Sequence, residues 1–160
     1  MPIYLMFRLA TDNNDVEILR QIFRLSIQKL APSLYSHEQV IAWSDFANNI
    51  IKFQDYILGA DTYVLENSQQ IIGFCGFHYD GHIASFYVHP DFTRQGYGTK
   101  LLNYVLDKAI QKGIKRFYAE ASFFSQPVFS RCGFDIVEIE TVKYGEVPFD
   151  RYKMEKVIRN

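Results

Sequence analysis

The sequence predicts a mixed α/β fold, α+β in its ordering, with a mostly antiparallel sheet of about seven strands and helices on both faces. The expected order is β-α-α-β-β-β-α-β-α-β-β. Three observations carry this reading. Runs of β-branched and aromatic residues of strand length recur between turn signals. Longer stretches repeat apolar residues at helical intervals. A glycine-rich loop joins one strand to a helix and then to a further strand, a unit long enough to cross over a sheet. With 160 residues, and no repeat, low-complexity tract or linker to divide it, the chain reads as a single domain over residues 1–160.

Residues 3–10 read as the first strand. The Thr11-Asp-Asn-Asn-Asp run that follows offers several N-cap candidates, and Asn14 with Glu17 has capping-box spacing. A helix over residues 15–30 is expected, with Ile18, Leu19, Ile22, Phe23, Ile27 and Leu30 on its apolar face. After a proline break at Pro32, Ser36 and Gln39 offer a second capping box, opening a helix through Trp43, Phe46 and Ile50 toward Tyr56. Residues 62–66, 71–79 and 82–89 form an antiparallel meander whose strongest turn is Asp80-Gly81. Beyond Pro90 a loop enters a helix with Leu101, Leu102, Val105, Leu106, Ala109 and Ile110 on one face, stopped by Gly113. The strand at 115–121 is expected to lie parallel and adjacent to the one before the loop. A short helix over 125–131 ends at Gly133, and residues 134–143 and 148–156 close the fold as an antiparallel pair.

An apolar fraction of 48% and a charged fraction of 22% are those of a globular protein. The unusual feature is aromatic, 14 Phe, 11 Tyr and one Trp. A formal charge of −1 provides no global field for nucleic acid or an anionic membrane, so neither is expected as a partner. Cys75 and Cys132 belong to no CxxC pair and read as buried small hydrophobes. The N-terminus lacks the basic and cleavage features of a signal peptide, and the longest apolar run, 71–77, falls far short of the ~20 residues a bilayer requires. A cytoplasmic location is the expectation. His78 and His82, with Cys75 nearby, are separated by the Tyr79-Asp80-Gly81 turn, so no metal site is expected.

The most informative segment is Val88-His-Pro-Asp-Phe-Thr-Arg-Gln-Gly-Tyr-Gly-Thr-Lys-Leu-Leu. Gly96 and Gly98 stand where the loop enters the helix, leaving the amides of residues 95–99 free to face an anion at the positive end of the helix dipole. Close helix–strand packing explains the same glycines equally well. A dinucleotide fingerprint needs a small residue where Leu101 stands, and a Walker A loop needs Gly-Lys-Ser/Thr where the order is Gly-Thr-Lys, so neither is favoured. Taken with the preceding strand and proline, the segment resembles motif A of the GNAT superfamily of N-acetyltransferases, usually V-x-P-x-x-[QR]-x-x-G-x-[GA]. Ala121-Ser-Phe-Phe-Ser-Gln-Pro-Val-Phe-Ser-Arg-Cys-Gly-Phe134 is similar to the second signature, N-x-x-A-x-x-F-Y-x-x-x-G-F. The Phe7-Arg8 strand, the helix start from Tyr35 to Trp43, and the Tyr152–Lys156 segment are similar to one bacterial branch of these enzymes.

The resemblance implies acetyl-CoA as co-substrate, its pyrophosphate on the amides of Gln95, Gly96, Tyr97, Gly98 and Thr99 and its pantetheine along the strand carrying Tyr87 and Val88. The Val88 amide would polarise the thioester carbonyl. Arg94 is either a phosphate ligand or a solvated loop residue. Ser122, in the usual asparagine place, either bonds pantetheine or caps the next helix. Thr93 stands where the family commonly has Gln or Arg. Phe129 stands where many members carry a tyrosine that protonates the leaving thiolate, and it has no proton to give.

The implied activity is acetyl transfer to a primary amine by direct attack in a ternary complex. The alternatives are a non-catalytic acyl-CoA-binding or interaction module, and transfer of another acyl group. The usual glutamate on the fourth strand has no counterpart between Ile83 and Val88. His82, Glu120 and Asp80 are the candidate bases, with Tyr144 and Tyr118 as proton donors. The acceptor, a small molecule in preference to a protein, is expected beside residues 31–43 and 143–149. There Tyr35, Trp43, Tyr144 and Phe149 would line the pocket, or fill the core, and Glu38 or Glu146 would receive a cation. The chain is expected to act as a monomer or a homodimer.

Overall fold

The computed structural model of the chain describes residues 4–159. Its seven strands make two antiparallel sheets. The first runs β1 (Met6–Leu9), β2 (Asp61–Glu66), β3 (Ile71–Phe77), β4 (Ile83–Val88). The second runs β5 (Arg116–Ala121), β7 (Val147–Val157), β6 (Asp135–Tyr144), the last strand lying in the middle. The predicted start of the first strand at Ile3 lies outside the described residues.

Helix α1 (Asn13–Leu30) begins two residues earlier than the sequence pattern suggested. Its cap is Asp12, which accepts from the Asp15 amide at 2.9 Å, in place of the expected Asn14 and Glu17. The physical reason lies in β1, where the Arg8 guanidinium grips the Asp15 carboxylate with two bonds of 2.9 Å. Glu17 pairs instead with Arg20. The second capping box forms as expected at α2 (His37–Ser44), with Ser36 and Gln39 bonding each other's backbone amides.

The single helix expected from Ser36 toward Tyr56 is two. A 3₁₀ turn over Asp45–Asn48 separates α2 from α3 (Ile50–Leu58). Arg20 holds this turn by donating to the Ala47 carbonyl at 3.0 Å, and Asn49, in extended conformation, restarts the helix by accepting from Lys52 N–H. Polar capping chemistry at Asn49 outweighs the continuous apolar periodicity here.

The four-stranded sheet is covered on both faces. Val64 and Phe74 pack with Leu19 and Phe23 of α1 and Phe53 and Ile57 of α3. Leu65, Cys75 and Phe77 pack with Leu101, Leu102 and Val105 of α4 (Tyr97–Gln111), and α5 (Gln126–Arg131) sets Phe129 into the same cluster. No helix of the described residues is long and apolar enough to cross a membrane.

The expectation that β4 and β5 lie side by side is corrected. They touch through one isolated parallel bridge, His82 with Tyr118, and then diverge. β5 is paired along its length with β7, from Arg116 opposite Val157 to Ala121 opposite Tyr152. On β4 the register shifts between Phe77↔Ile83 and Gly76↔Ser85, leaving Ala84 as an unopposed extra residue. Such a bulge bends its strand and increases the local twist, which swings the rest of β4 away from β5. The opening between the two sheets holds the candidate site.

Candidate active site

Two cavities meet along the diverging edge of β4. The larger, about 530 Å³, is lined by α1, by Phe86, Tyr87 and Val88 of β4, by the loop from Phe92 to Thr99, and by residues 122–128. The smaller, about 320 Å³, lies toward the bridge end and contains His82, Glu120, Tyr144 and Arg151 among aromatic side chains. Trp43 and Tyr87 belong to both linings. The Trp43 indole N–H donates to the Tyr87 hydroxyl at 3.2 Å, so one hydrogen-bonded pair forms the partition. Burial raises the Tyr87 phenol well above its ordinary range, keeping it protonated.

The larger cavity opens on the N-terminus of α4. Arg94 (φ +60°) and Gly96 (φ +85°) are both left-handed, which curls the loop into a concavity of backbone N–H groups. No hydrogen bond among the described residues uses the backbone amides of Gln95, Gly96, Tyr97, Gly98 or Thr99 as donors. Open space at Gly96 means its backbone conformation alone requires glycine. Gly98 has the other role, since a Cβ there would meet the Phe86 ring at 3.3 Å and Val88 Cγ2 at 3.6 Å. The Thr93 hydroxyl donates to the Pro90 carbonyl, and Thr93 and Arg94 both line the cavity.

Strand parity decides what β4 presents to the opening. The His89 amide donates to the Ile72 carbonyl at 2.7 Å, so Tyr87 forms a hydrogen-bonded pair with Phe74. The peptide groups of Phe86 and Val88 therefore point away from β3 and into the gap. The Val88 carbonyl is already satisfied by the Ser26 hydroxyl at 2.7 Å. Ser26 is a site residue that sequence reasoning missed. Its only signal was a polar side chain on the otherwise apolar face of α1, between Phe23 and Ile27.

Ser122 and Ser125 bond each other reciprocally, amide to hydroxyl, at 2.9 and 3.0 Å and fix the turn into α5. Both also line the larger cavity. Phe129 does not line it. Its ring is buried against Phe86 and Phe134, with centroids 5.6 and 5.0 Å away, so it supports the β4 wall from behind.

On the other side of the partition the structure brings His82, Glu120 and Tyr144 into one cavity. His82 Nε2 and Glu120 Oε2 are 2.7 Å apart, with a little over a quarter of each side chain exposed. The His82 hydrogen bond lowers the Glu120 carboxyl below its ordinary value, against the opposing effect of burial. The His82 ring stacks on Tyr118 at 4.8 Å, and the Tyr118 hydroxyl donates to Asp80 at 2.5 Å. That bond raises Tyr118 and lowers Asp80, so neither lies in the neutral range and Asp80 anchors the turn. Asp80 and Tyr118 do not line either cavity.

The expected acceptor pocket is corrected in part. Trp43 and Tyr144 line the smaller cavity, whereas Tyr35 and Phe149 are buried in the adjoining core, and Glu38 and Glu146 are exposed away from it. The carboxylate that faces the cavity is Glu120. Cys75 and Cys132 are buried, and burial raises both thiols. No group of three or more His, Cys, Asp or Glu is placed to hold a metal ion among the described residues.

Residues 21–134 match the family model described as acetyltransferase (GNAT) family. The chain belongs to that family. This GNAT chain is 25% identical over 140 residues, 88% of each protein, to the uncharacterized N-acetyltransferase YafP of Escherichia coli K12. Its fold is similar to that of the GCN5-related N-acetyltransferase of Rhodopseudomonas palustris, with a TM-score of 0.91, 26% identity and 99% of each chain covered. It is also similar to PaiA N-acetyltransferase of Thermoplasma acidophilum, in complex with coenzyme A (TM-score 0.74, 20% identity, 96% and 99% covered). YncA of Salmonella typhimurium, with its cofactor acetyl-CoA, has a TM-score of 0.68 at 22% identity, covering 98% and 95%.

Proposed function

We propose that this GNAT enzyme transfers the acetyl group of acetyl-CoA to a primary amine by direct attack within a ternary complex. The observation that carries the reading is the pair of cavities meeting at one strand edge. One presents an unpaired run of backbone amides and the other an ionisable pair. The relatives carrying coenzyme A and acetyl-CoA support the same co-substrate.

Acetyl-CoA supplies an acyl group on a thioester whose sulfur departs readily. For it, this chain offers the amides of residues 95–99 and the Arg94 guanidinium to the phosphates, and the peptide edge of Phe86 and Val88 to the pantetheine arm. The Val88 N–H faces the place where negative charge develops on the carbonyl oxygen. Ser26, by occupying the Val88 carbonyl, holds that peptide in orientation.

An amine near neutral pH is mostly ammonium and must lose a proton before its lone pair attacks. The ionised Glu120, bonded to His82, attracts the ammonium and accepts that proton directly or through the imidazole. As the new C–N bond forms, the C–S bond breaks and CoA leaves as thiolate. Tyr144, an exposed tyrosine of the same cavity, is the donor in place of the hydroxyl that Phe129 lacks.

Titration calorimetry with acetyl-CoA and CoA, followed by a CoA-release assay over a panel of amines, tests the reading. Micromolar binding and amine-dependent release are expected. Absence of binding at high micromolar ligand refutes the co-substrate. The phenylalanine at 129 favours one second reading, an acyl-CoA-binding module without chemistry. Binding with no release across the panel would establish it.

A further inference from the structure

The smaller cavity holds a charge arrangement that the transfer reaction by itself does not require. β5, β7 and β6 carry on one face a row of cross-strand ion pairs: Arg116 with Glu155, Lys153 with Glu138, and Arg151 with Glu140. Glu120 lies on the same face, directly opposite Lys153, with Arg151 as its diagonal neighbour two residues along. Diagonal positions of an antiparallel pair are ~7 Å apart. Glu120 and Arg151 make no ion pair with each other, and both face the cavity. An acid and a base are thus set side by side across an open space.

Arg151 is only half used by its own chain. It donates through Nε to Glu140 at 2.7 Å, and its two terminal nitrogens have no hydrogen-bond acceptor among the described residues. The side chain is 29% exposed, held but accessible. The terminal edge of a guanidinium is a planar fork matched to a carboxylate. Beyond the charged end, the cavity is walled by Phe23, Trp43, Phe46, Tyr56 and Tyr87. Its volume of about 320 Å³ is at the small end of the ~300–1,000 Å³ range of ligand pockets. A free amino acid fits this scale, and an extended peptide does not.

We infer that the acceptor is a free α-amino acid with an aromatic side chain, its amine on the His82–Glu120 pair, its carboxylate on the Arg151 fork and its ring among the aromatic walls. This inference rests on the proposed transfer to an amine and specifies the class of that amine. A zwitterion satisfies both charges of the cavity at once. A simple amine leaves the fork unpaired, and a neutral amide presents it no anionic group.

The test compares L-phenylalanine and L-tyrosine with phenethylamine, tyramine and phenylalanine amide as acceptors, in the wild type and in Arg151→Gln. The amino acids should show kcat/KM about ten- to hundred-fold above their decarboxylated counterparts, the range expected for a charge-assisted pair. Arg151→Gln should bring that ratio close to one. Arg151→Lys, which keeps the charge beside Glu140 and loses the fork, should lower the ratio to an intermediate value and serves if the glutamine variant fails to fold. Equal or better turnover of the decarboxylated amines by the wild type overturns the inference while leaving amine transfer intact. So does a preference that both variants retain. If no amine is turned over, calorimetry of L-phenylalanine against the CoA-loaded protein separates the two readings. Binding stronger than that of phenethylamine upholds the amino-acid class and refutes the transfer, and binding no stronger refutes both.

Discussion

Glu120 shows how a single residue acquires its role from its surroundings. In the sequence it is one carboxylate in a strand, Arg-Phe-Tyr-Ala-Glu-Ala, with nothing to distinguish it from the other acids of the last two strands. In the fold Glu138, Glu140 and Glu155 are spent on Lys and Arg partners, and Glu120 has a histidine. Glu120→Gln should lower kcat about 10²- to 10⁴-fold, the usual contribution of a positioned acid–base group, with acetyl-CoA affinity unchanged by calorimetry. The same variant reports on acid stability. Because the folded carboxyl titrates below its ordinary 4.5, its stabilising effect is complete above that pH and disappears as pH falls through the lowered value. The melting temperature of the wild type should exceed that of the variant at pH 7, and the difference should close below about pH 4.5. A constant difference across that range would show that the His82–Glu120 bond contributes no linkage.

Among the elements, the glycine-rich entry to α4 was legible as a loop running into a helix, because its signals are local. Gly96 and Gly98 alternate at a helix start, and the two turned out to be needed for different reasons, backbone conformation at one and close approach to Phe86 at the other. Gly96→Ala should therefore cost ~1 kcal/mol of stability, the penalty of a left-handed alanine. Gly98→Val should raise the acetyl-CoA dissociation constant by about tenfold or more by pushing on the β4 wall. Thermal denaturation and calorimetry on both variants distinguish the two effects. The second capping box was legible for the same reason, whereas the first was not. A long-range partner, Arg8, drew Asp15 into the cap, and no local pattern announces a residue 7 positions upstream. The division of α2 from α3 was likewise hidden, since Arg20 stabilises the intervening turn from another helix.

Over the whole molecule, the sequence indicated which strands exist but not that they split into two sheets. The crossover rule made β4 and β5 neighbours, and they are neighbours for one residue pair only. What separates them is a bulge in the β3–β4 hairpin and the insertion of the final strand beside β5, the latter set by pairing between distant segments. The glycine loop could be read from its motif, but the smaller cavity could not, because its lining comes from α1, α2, α3 and four strands. Two cavities that meet at one partition, with both thiols buried, predict sequential kinetics. Double-reciprocal plots against acetyl-CoA and amine should intersect. Parallel lines would require an acetylated enzyme and a nucleophile outside this site.

The extra residue at Ala84 fixes more than the bend of a strand. His82 and Tyr87 are five positions apart, an odd number that in an unbroken strand would send them to opposite faces. With Ala84 left unopposed, the two share one cavity lining. The length of this strand is thus a parity device. Any insertion or deletion of one residue between them would turn the His82 end of the cavity lining to the other side of the sheet, with every side chain still present, while changes by two would return it. The spacing from His82 to Tyr87 is as much a part of this cavity as the side chains that line it.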